Sequence, residues 1–344
     1  MKTICFTAAD LEEVKVQDTI RKAFQDDELV VFPTETVYGI GANALSETAV
    51  KKIFSIKGRP SDNPLIVHLP NQQDIYKYIK NIPSYAEALM VAFWPGPLTL
   101  IFPNDGVFSN AVTAGLDTVA IRVPDHPIAN KVLSLSGLPI CAPSANISGR
   151  PSSTLFSHVK EDFDGLVFIL IDGGSTKIGL ESTVLDLTVD IPTILRPGRV
   201  TKEMIENVLK IEIIDHLGQD IKNTPKSPGM KYKHYAPKGS VTLIEGDFEA
   251  VVNFLNKLSL EEEDNRIAVL CPDEYESHLH LKTVIKLGSL NNLDAIGENI
   301  FKSLRLMDEM NINKIYIPAI NTEGYGVAIM NRLIKAANNN IIKV

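Results

Sequence analysis

The sequence predicts an α/β protein of two domains, a larger one followed by a smaller one. Its 344 residues exceed the usual size of one domain, and 44% hydrophobic and 22% charged residues are typical of a globular chain. Short β-branched runs alternate with helical patterns, which favours sheets covered by helices. The stretch 216–240 breaks this alternation with three prolines, three glycines and five lysines. The sequence therefore predicts domains at 1–210 and 241–344, joined by a linker at 211–240.

The first domain is predicted to alternate strands and helices. Its helices are predicted in SETAVKKIFSIKG, with Ser46 as N-cap, in PSYAEALMVAFW, in PIANKVLSLSG, which ends at Gly137, and in TKEMIENVLK, with Thr201 as N-cap. Its strands are predicted in LVVFPTETVYGI, PLIVHL, LTLIF, TVAIRVP, LPICAPS, LVFILIDGG, STVLDLT and TILRPG.

The second domain is predicted to be a small α/β unit with a largely parallel sheet. RIAVLCP, TVIKLGS and KIYIPAI are predicted strands, and FEAVVNFLNKL, LDAIGENIFKSLRLMDE and VAIMNRLIKAANN are predicted helices. Gly324-Tyr325-Gly326 precedes the last helix, but it lacks the full GxGxxG pattern of a dinucleotide site. We interpret it as a turn that leads into that helix.

Charge and cysteine content exclude several classes of function. The formal net charge is −8, so no overall basic field attracts nucleic acid or an anionic membrane. No signal-peptide pattern opens the chain, and no run of about 18 apolar residues predicts a membrane span. Cys5, Cys141 and Cys271 are far apart, which argues against a zinc site or a disulfide framework. A reducing cytoplasm is the expected compartment.

Two cationic residues, Lys57 and Arg59, lie at the end of a predicted helix, in the segment KGRPSDNPLIVH. Pro60 favours an extended Arg59, and in an extended chain Lys57 and Arg59 project to the same side. Such a pair is favoured if a phosphate or carboxylate lies between the two charges. The alternative is a pair of exposed cations at a helix C-terminus, where the helix dipole favours them.

Small polar residues follow a predicted strand in the segment CAPSANISGRPSST. Strand ends are where α/β folds bind ligands, and hydroxyls with backbone N–H groups suit a polyanion. The alternative is an ordinary serine-rich turn. The candidates here include Ser144, Asn146 and Ser152.

Polar residues also interrupt predicted apolar strands. His68, Arg122 and Arg196 lie in PLIVHLP, VAIRVP and ILRPGR, where unpaired buried charge is costly. We interpret them as lining a polar concavity formed by the sheet. The triplet 34–36 (TET) and the triplet 181–183 (EST) place further polar residues in or beside strands.

The ordered motifs resemble those of the YrdC-like family of L-threonylcarbamoyladenylate synthases. They are FPTETVYGIGANA, KGRPSDNPLIVH, FWPGPLT, AIRVPDHP, APSANISGRPS, STVLDL and LRPG, and SPGMKYKHYAP with the α/β tail is similar to two-domain members. The resemblance implies a twisted open sheet around a deep basic cavity, plus a smaller Rossmann-like domain. It implies a nucleotidyltransferase that condenses L-threonine, bicarbonate and ATP to threonylcarbamoyl-AMP and pyrophosphate.

The resemblance also implies roles for individual residues. The family's catalytic K-x-R…S-x-N pattern falls on Lys57, Arg59, Ser144 and Asn146. L-threonine binding falls on Thr36, His68, Arg122, Ala142 and Ser182. ATP binding falls on Arg59, Asn63, Thr118, Ser144, Ser152, Arg196 and Tyr235.

The resemblance further implies no metal site of the protein's own, because Mg²⁺ arrives with ATP. A partner enzyme is expected to transfer the threonylcarbamoyl group to adenosine 37 of tRNAs that read ANN codons. The linker segment KYKHYAP is hypothesised to close over ATP as a lid, with Tyr235 over the nucleotide.

Three alternatives remain open at this point. The chain could be an RNA- or tRNA-binding module, although its charge of −8 and its few aromatic residues argue against that. It could be a hydrolase or carbamoyltransferase, although such enzymes carry zinc-finger segments that are missing here. The second domain could bind a partner or a regulatory ligand.

Overall fold

The computed structural model describes residues 2–215, 234–261 and 266–344. These residues fold into two compact units. The first contains 2–148, 153–177 and 181–215, and the second contains 149–152, 178–180, 234–261 and 266–344. The second unit therefore includes two short segments from within the sequence of the first. Residues 216–233, which make up most of the predicted linker and the first three residues of the predicted lid KYKHYAP, lie outside the described residues.

The described part of the first unit is organised around one mixed sheet. Its order is β1-β8-β2-β3-β7-β4-β6-β5-β9-β10-β11. The strands are β1 (Ile4–Thr7), β2 (Val30–Phe32), β3 (Gly39–Asn43), β4 (Ile66–His68), β5 (Leu98–Pro103), β6 (Thr118–Arg122), β7 (Ile140–Cys141), β8 (Ile169–Asp172), β9 (Thr183–Asp186), β10 (Thr193–Arg196) and β11 (Ile214–Asp215).

Helices cover this sheet where apolar side chains recur at helical spacing. The predicted helix caps are present in the structure. Ser46 accepts a hydrogen bond from Ala49 N, and Thr201 accepts one from Met204 N. Gly137 ends its helix in the left-handed conformation. The helices are α1 (Val14–Gln25), α2 (Glu47–Lys57), α3 (Ser84–Phe93), α4 (Asn110–Thr113), α5 (Pro127–Ser136), α6 (Phe156–Phe163) and α7 (Lys202–Leu209).

The prediction of one continuous strand in LVVFPTETVYGI is wrong. The structure has two antiparallel strands, β2 and β3, joined by a buried loop. Pro33 has no N–H for a sheet ladder. Thr34 Oγ1 then donates to Val37 O at 2.7 Å, which holds the chain in a turn. The polar triplet therefore lies in a loop between strands rather than within one.

The second unit has a five-stranded sheet in its described residues, and every pairing in it is parallel. This confirms the predicted α/β class, and Gly324-Tyr325-Gly326 leads directly into the last helix as predicted. The elements are β12 (Ser240–Glu245), α8 (Phe248–Glu261), β13 (Ile267–Cys271), β14 (Val284–Lys286), α9 (Leu293–Glu309), β15 (Lys314–Pro318), α10 (Gly326–Ala336) and β16 (Ile341–Lys343).

Within residues 2–215, 234–261 and 266–344, none of the helices combines the length and apolar character of a membrane span.

Replacing Leu100 with alanine is expected to destabilise the first unit by about 2–5 kcal/mol, because a fully buried leucine leaves a cavity in the main core. Chemical denaturation followed by tryptophan fluorescence measures this, since the one tryptophan, Trp94, is in the same core. Val91 on α3 is exposed, so Val91→Ala is the matched control and should change stability by less than about 0.5 kcal/mol. Equal effects would contradict the assignment of Leu100 to the core.

Candidate active site

One face of the central sheet carries four of the predicted site residues, His68, Thr118, Arg122 and Ser182. Side chains alternate between faces along a strand. Val67, Leu100, Ile121 and Leu185 point into the main hydrophobic core. Their neighbours along the strands point to the opposite face, where a small apolar cluster contains Ile66, Ile101, Ala120 and Val184. The polar residues in phase with this cluster are His68, Thr99, Thr118, Arg122 and Ser182.

Arg122 is held at the end of β6 by three groups. Its Nε donates to Gly96 O at 3.2 Å and its Nη1 donates to Thr36 Oγ1 at 3.0 Å. Its Nη2 lies 2.7 Å from Glu35 Oε1. The side chain is only 5% exposed. A buried guanidinium fixed in this way presents a planar set of donors that suits a carboxylate.

His68 is the direct neighbour of Arg122 across the parallel pair β4 and β6. Its Nδ1 donates to Ile66 O at 3.2 Å, which leaves Nε2 as the acceptor of a neutral ring. Burial, and to a lesser extent the charge of Arg122, lowers the pKa of His68 from 6.5 to about 3. His68 is therefore neutral at physiological pH and can accept a hydrogen bond from a hydroxyl group.

Ser182 joins three strands on the same face. Its hydroxyl lies 2.8 Å from Thr99 Oγ1 and accepts from Arg196 Nη2 at 3.1 Å. Arg196 Nε also donates to Ser182 O at 3.0 Å. This network fixes a buried hydroxyl and a buried guanidinium side by side, which suits a polar ligand.

The segments KGR and SAN come together around the ammonium group of Lys57. Lys57 Nζ donates to the carbonyl oxygens of Ser144 and Asn146. Ser144 Oγ donates to Asn146 Oδ1 at 2.6 Å, and Ser148 N donates to Lys57 O at 2.9 Å. Lys57 is thus joined to residues 87 and 89 positions further along the chain, in one cluster that contains three members of the K-x-R…S-x-N pattern.

The prediction that Lys57 and Arg59 lie in one extended segment is wrong. Lys57 is the last residue of α2, and Gly58 adopts the left-handed conformation with φ of 60°. Lys57 is 2% exposed, which also excludes the alternative of two exposed cations. Arg59 turns to a different partner, because its Nη2 donates to Asn63 O at 3.4 Å and to Pro64 O at 3.3 Å.

Asn63 and Thr118 are buried, as is expected of residues that contact a ligand deep in a protein. Both side-chain polar atoms of Asn63 lack a hydrogen-bond partner within the described residues. A buried amide without partners is unusual, which makes Asn63 a candidate for contact with a ligand. Thr118 begins the five-residue strand β6 and Arg122 ends it, so the two residues lie about 13 Å apart on one face.

The remaining predicted residues are placed as follows. Ala142 follows β7, and its N–H donates to Ile66 O at 3.0 Å. Ser152 is buried and belongs to the second unit. Tyr235 also belongs to the second unit, where its ring stacks on Phe301 with centroids 5.0 Å apart.

Sequence reasoning missed three groups that hold this site together. Gly96 supplies a carbonyl to Arg122, Thr99 contacts Ser182, and Glu35 pairs with Arg122. Thr99 lies between Leu98 and Leu100 on β5, and this alternation could have indicated that Thr99 faces away from the core, towards the site. The carbonyl of Gly96 has no signature in sequence.

Among the described residues, no cluster of three or more His, Cys, Asp or Glu side chains could hold a metal ion. His278 and His280 are both exposed.

Comparisons with known proteins agree with this geometry. A family model described as "Telomere recombination" (Sua5, YciO and YrdC) matches residues 22–198, and one described as "Threonylcarbamoyl-AMP synthase, C-terminal domain" matches 200–338. Threonylcarbamoyl-AMP synthase of Pyrococcus abyssi is 46% identical over 97% of both chains. This chain belongs to the threonylcarbamoyl-AMP synthase family. The Bacillus subtilis synthase is 45% identical over 93% of this chain and 92% of its own length.

A solved structure supports the same family assignment. The crystal structure of P. abyssi Sua5 complexed with L-threonine is 45% identical and covers 100% of both chains with a TM-score of 0.90. The family assignment and this two-domain match confirm the predicted α/β fold class. They also favour the synthase prediction over the alternative of an RNA-binding module.

The buried neutral His68 is expected to make the protein less stable in acid. Its folded-state pKa of about 3 lies below the unfolded value of 6.5, so the unfolded chain binds the extra proton. The stability contributed by neutral His68 is fully present above pH 6.5. It falls by about 1.4 kcal/mol per pH unit as pH drops from 6.5 towards 3. Urea denaturation of the wild type and of His68→Gln between pH 7 and 4.5 measures this contribution.

The pH dependence should be shallower in His68→Gln than in the wild type. His278→Gln is the matched control, because His278 is exposed, and its curve should follow that of the wild type. Parallel curves for the wild type and His68→Gln would show that His68 titrates normally.

Proposed function

We propose that this chain is a threonylcarbamoyl-AMP synthase that uses L-threonine, bicarbonate and MgATP and releases pyrophosphate. The observation that carries the proposal is the arrangement on β6. The guanidinium of Arg122, which suits a carboxylate, lies at the end of this strand. Thr118, a predicted nucleotide contact, lies at its beginning, about 13 Å away. Family membership and 46% identity to a synthase over 97% of both chains support it.

The threonine end of the site is proposed to lie around Arg122. Its guanidinium would bind the substrate carboxylate, with Thr36 and Ala142 beside it. The neutral Nε2 of His68 would accept a hydrogen bond from the threonine hydroxyl, and the Ser182 hydroxyl would complete this pocket. A buried acceptor for the hydroxyl discriminates against valine, because valine would leave that acceptor unpaired.

The nucleotide end is proposed to lie around Thr118 and Asn63. The unsatisfied amide of Asn63 supports this, since a ligand with both donors and acceptors would complete it. Mg²⁺ would enter with ATP as part of the substrate, bound to its phosphates. The other proposed ATP contacts are Arg59, Ser144, Ser152, Arg196 and Tyr235.

The reaction is proposed to proceed in two steps. The threonine amine attacks the carbon of bicarbonate, and loss of water gives the N-carboxylated carbamate. A carbamate oxygen then attacks the α-phosphorus of ATP, and the bond to pyrophosphate breaks. Lys57 and Arg59 would neutralise charge on the carbamate and the phosphates, and Ser144 and Asn146 would fix the loop that Lys57 binds.

The product requires a second enzyme. We propose that a tRNA threonylcarbamoyltransferase consumes the mixed anhydride and modifies adenosine 37 of ANN-decoding tRNAs in the cytoplasm. The segment around Tyr235 is proposed to cover the nucleotide during the reaction.

Pyrophosphate release tests this function directly. With ATP and Mg²⁺ present, release should require both L-threonine and bicarbonate. Lys57→Ala and Arg59→Ala should each lower the rate about 10²–10³-fold, because they remove preorganised positive charge. Lys51→Ala is the matched control on the same helix, since Lys51 is exposed and pairs with Glu47, and its rate should equal that of the wild type.

Release that is indifferent to threonine or bicarbonate would overturn the proposed function. Wild-type rates in both Lys57→Ala and Arg59→Ala would instead place the chemistry elsewhere in the chain.

A further inference from the structure

Glu35 is a buried carboxylate with unfilled acceptors. It is 5% exposed and lies in the loop between β2 and β3. Its Oε1 forms an ion pair with Arg122 Nη2 at 2.7 Å, but neither carboxylate oxygen accepts a hydrogen bond within the described residues. Burying a carboxylate without hydrogen bonds is costly. A group of this kind in a predicted binding site indicates that a ligand donates to it.

The Arg122 side of the pair is also incomplete. Nε and Nη1 have partners in Gly96 and Thr36, but Nη2 makes no hydrogen bond within the described residues despite its closeness to Glu35. The contact between the two side chains is therefore a charge contact whose N–H groups point elsewhere. Side by side, the pair offers an anion that lacks donors and a cation that lacks acceptors.

This arrangement is complementary to the charged groups of an α-amino acid. Such a molecule carries a carboxylate and an ammonium group on a single carbon, so the two groups bind at adjacent positions. If Arg122 binds the carboxylate, as the proposed function requires, the ammonium group comes close to Glu35. We propose that Glu35 binds the α-ammonium group of the substrate, so that Glu35 and Arg122 together recognise the amino-acid zwitterion. The inference rests on the proposed function.

The surroundings of Glu35 favour a ligand cation as its missing partner. His126, at the start of α5, is close enough for the two groups to interact. Burial lowers the pKa of His126, and the charge of Glu35 offsets this only in part. A histidine with a lowered pKa is mostly neutral at pH 7 and adds little positive charge. Arg122 is already positioned by Gly96 and Thr36, so Glu35 is not needed to hold it.

Binding of two ligands that differ only in the amino group distinguishes recognition of the ammonium group by Glu35 from a purely structural role of Glu35. One is L-threonine, and the other is (R)-3-hydroxybutyrate, which is threonine without its amino group. Titrations of the full chain, followed by the isoleucine methyl NMR signals, give both dissociation constants. Ile66 and Ile101 lie on the site face of the sheet and report binding there. The variants are Glu35→Gln, Glu35→Asp and the control Glu47→Gln, whose side chain is 57% exposed.

In the wild type and in Glu47→Gln, L-threonine should bind far more tightly than 3-hydroxybutyrate. In Glu35→Gln, threonine should bind about 10–100-fold more weakly, as is typical for loss of a hydrogen bond between charged groups. Binding of 3-hydroxybutyrate should be unchanged or tighter, because its carboxylate no longer competes with Glu35 for Arg122. Glu35→Asp keeps the charge and should show a smaller loss for threonine only, which preserves the test if Glu35→Gln does not fold.

Equal weakening of both ligands in these variants would overturn the inference and leave Glu35 as a structural counter-ion. Unchanged or tighter threonine binding would overturn it as well, since Glu35 would then be a competitor for Arg122. Failure of the wild type to bind L-threonine would instead overturn the proposed function, so the two failures are distinguishable.

Discussion

The alternation of side chains along β4, β5, β6 and β9 is the constraint on which the site depends. In each strand every second residue enters the main core, so the residues between them must point to the other face. There they place His68 beside Arg122, and Thr99 beside Ser182. A shift of register by one residue would bury these polar groups in the core and expose the leucines. Packing of the core therefore fixes the position of the site.

Burying this much charge is costly, and the structure offsets the cost locally. Lys57 is satisfied by two backbone carbonyls, and Arg122 donates hydrogen bonds to a carbonyl and a hydroxyl oxygen and makes a charge contact with the Glu35 carboxylate. Such partners hold a cation in place without fully neutralising it by carboxylates, which keeps positive charge available for an anionic substrate. Of the buried side-chain atoms that lack a hydrogen-bond partner within the described residues, those of Asn63, Glu35 and Arg122 belong to this site.

Much of the fold could be predicted from the sequence, because the periodicity of apolar residues and the residues that cap helices are local signals. The helix with Ser46 as cap and the strand of PLIVHL both form as predicted. The edge strands β1 and β16 were not predicted, since alternating exposure along short segments gives a weak signal. The amphipathic helix α1 was also not predicted, although its apolar spacing fits a helix.

The site could be predicted less completely than the fold. The residue types in K-x-R…S-x-N and the polar residues within strands identified most members. Their contacts could not be predicted, because Lys57 meets Asn146 across 89 positions and Gly96 contributes only its carbonyl. The turn at Thr34–Thr36 depends on a side-chain hydrogen bond to Val37 O rather than on strand propensity. The left-handed Gly58 likewise interrupts the extended segment that was expected from Lys57 to Arg59.

The central claim is that one face of the sheet holds threonine at the end of β6 and the nucleotide at its beginning. A crystal structure of this chain with L-threonine and a non-hydrolysable ATP analogue tests it most directly. The account predicts the threonine carboxylate on Arg122 and the nucleotide beside Asn63 and Thr118, both on the face that carries Ile66 and Ala120. Either ligand bound away from that face, or threonine bound without Arg122, would contradict it.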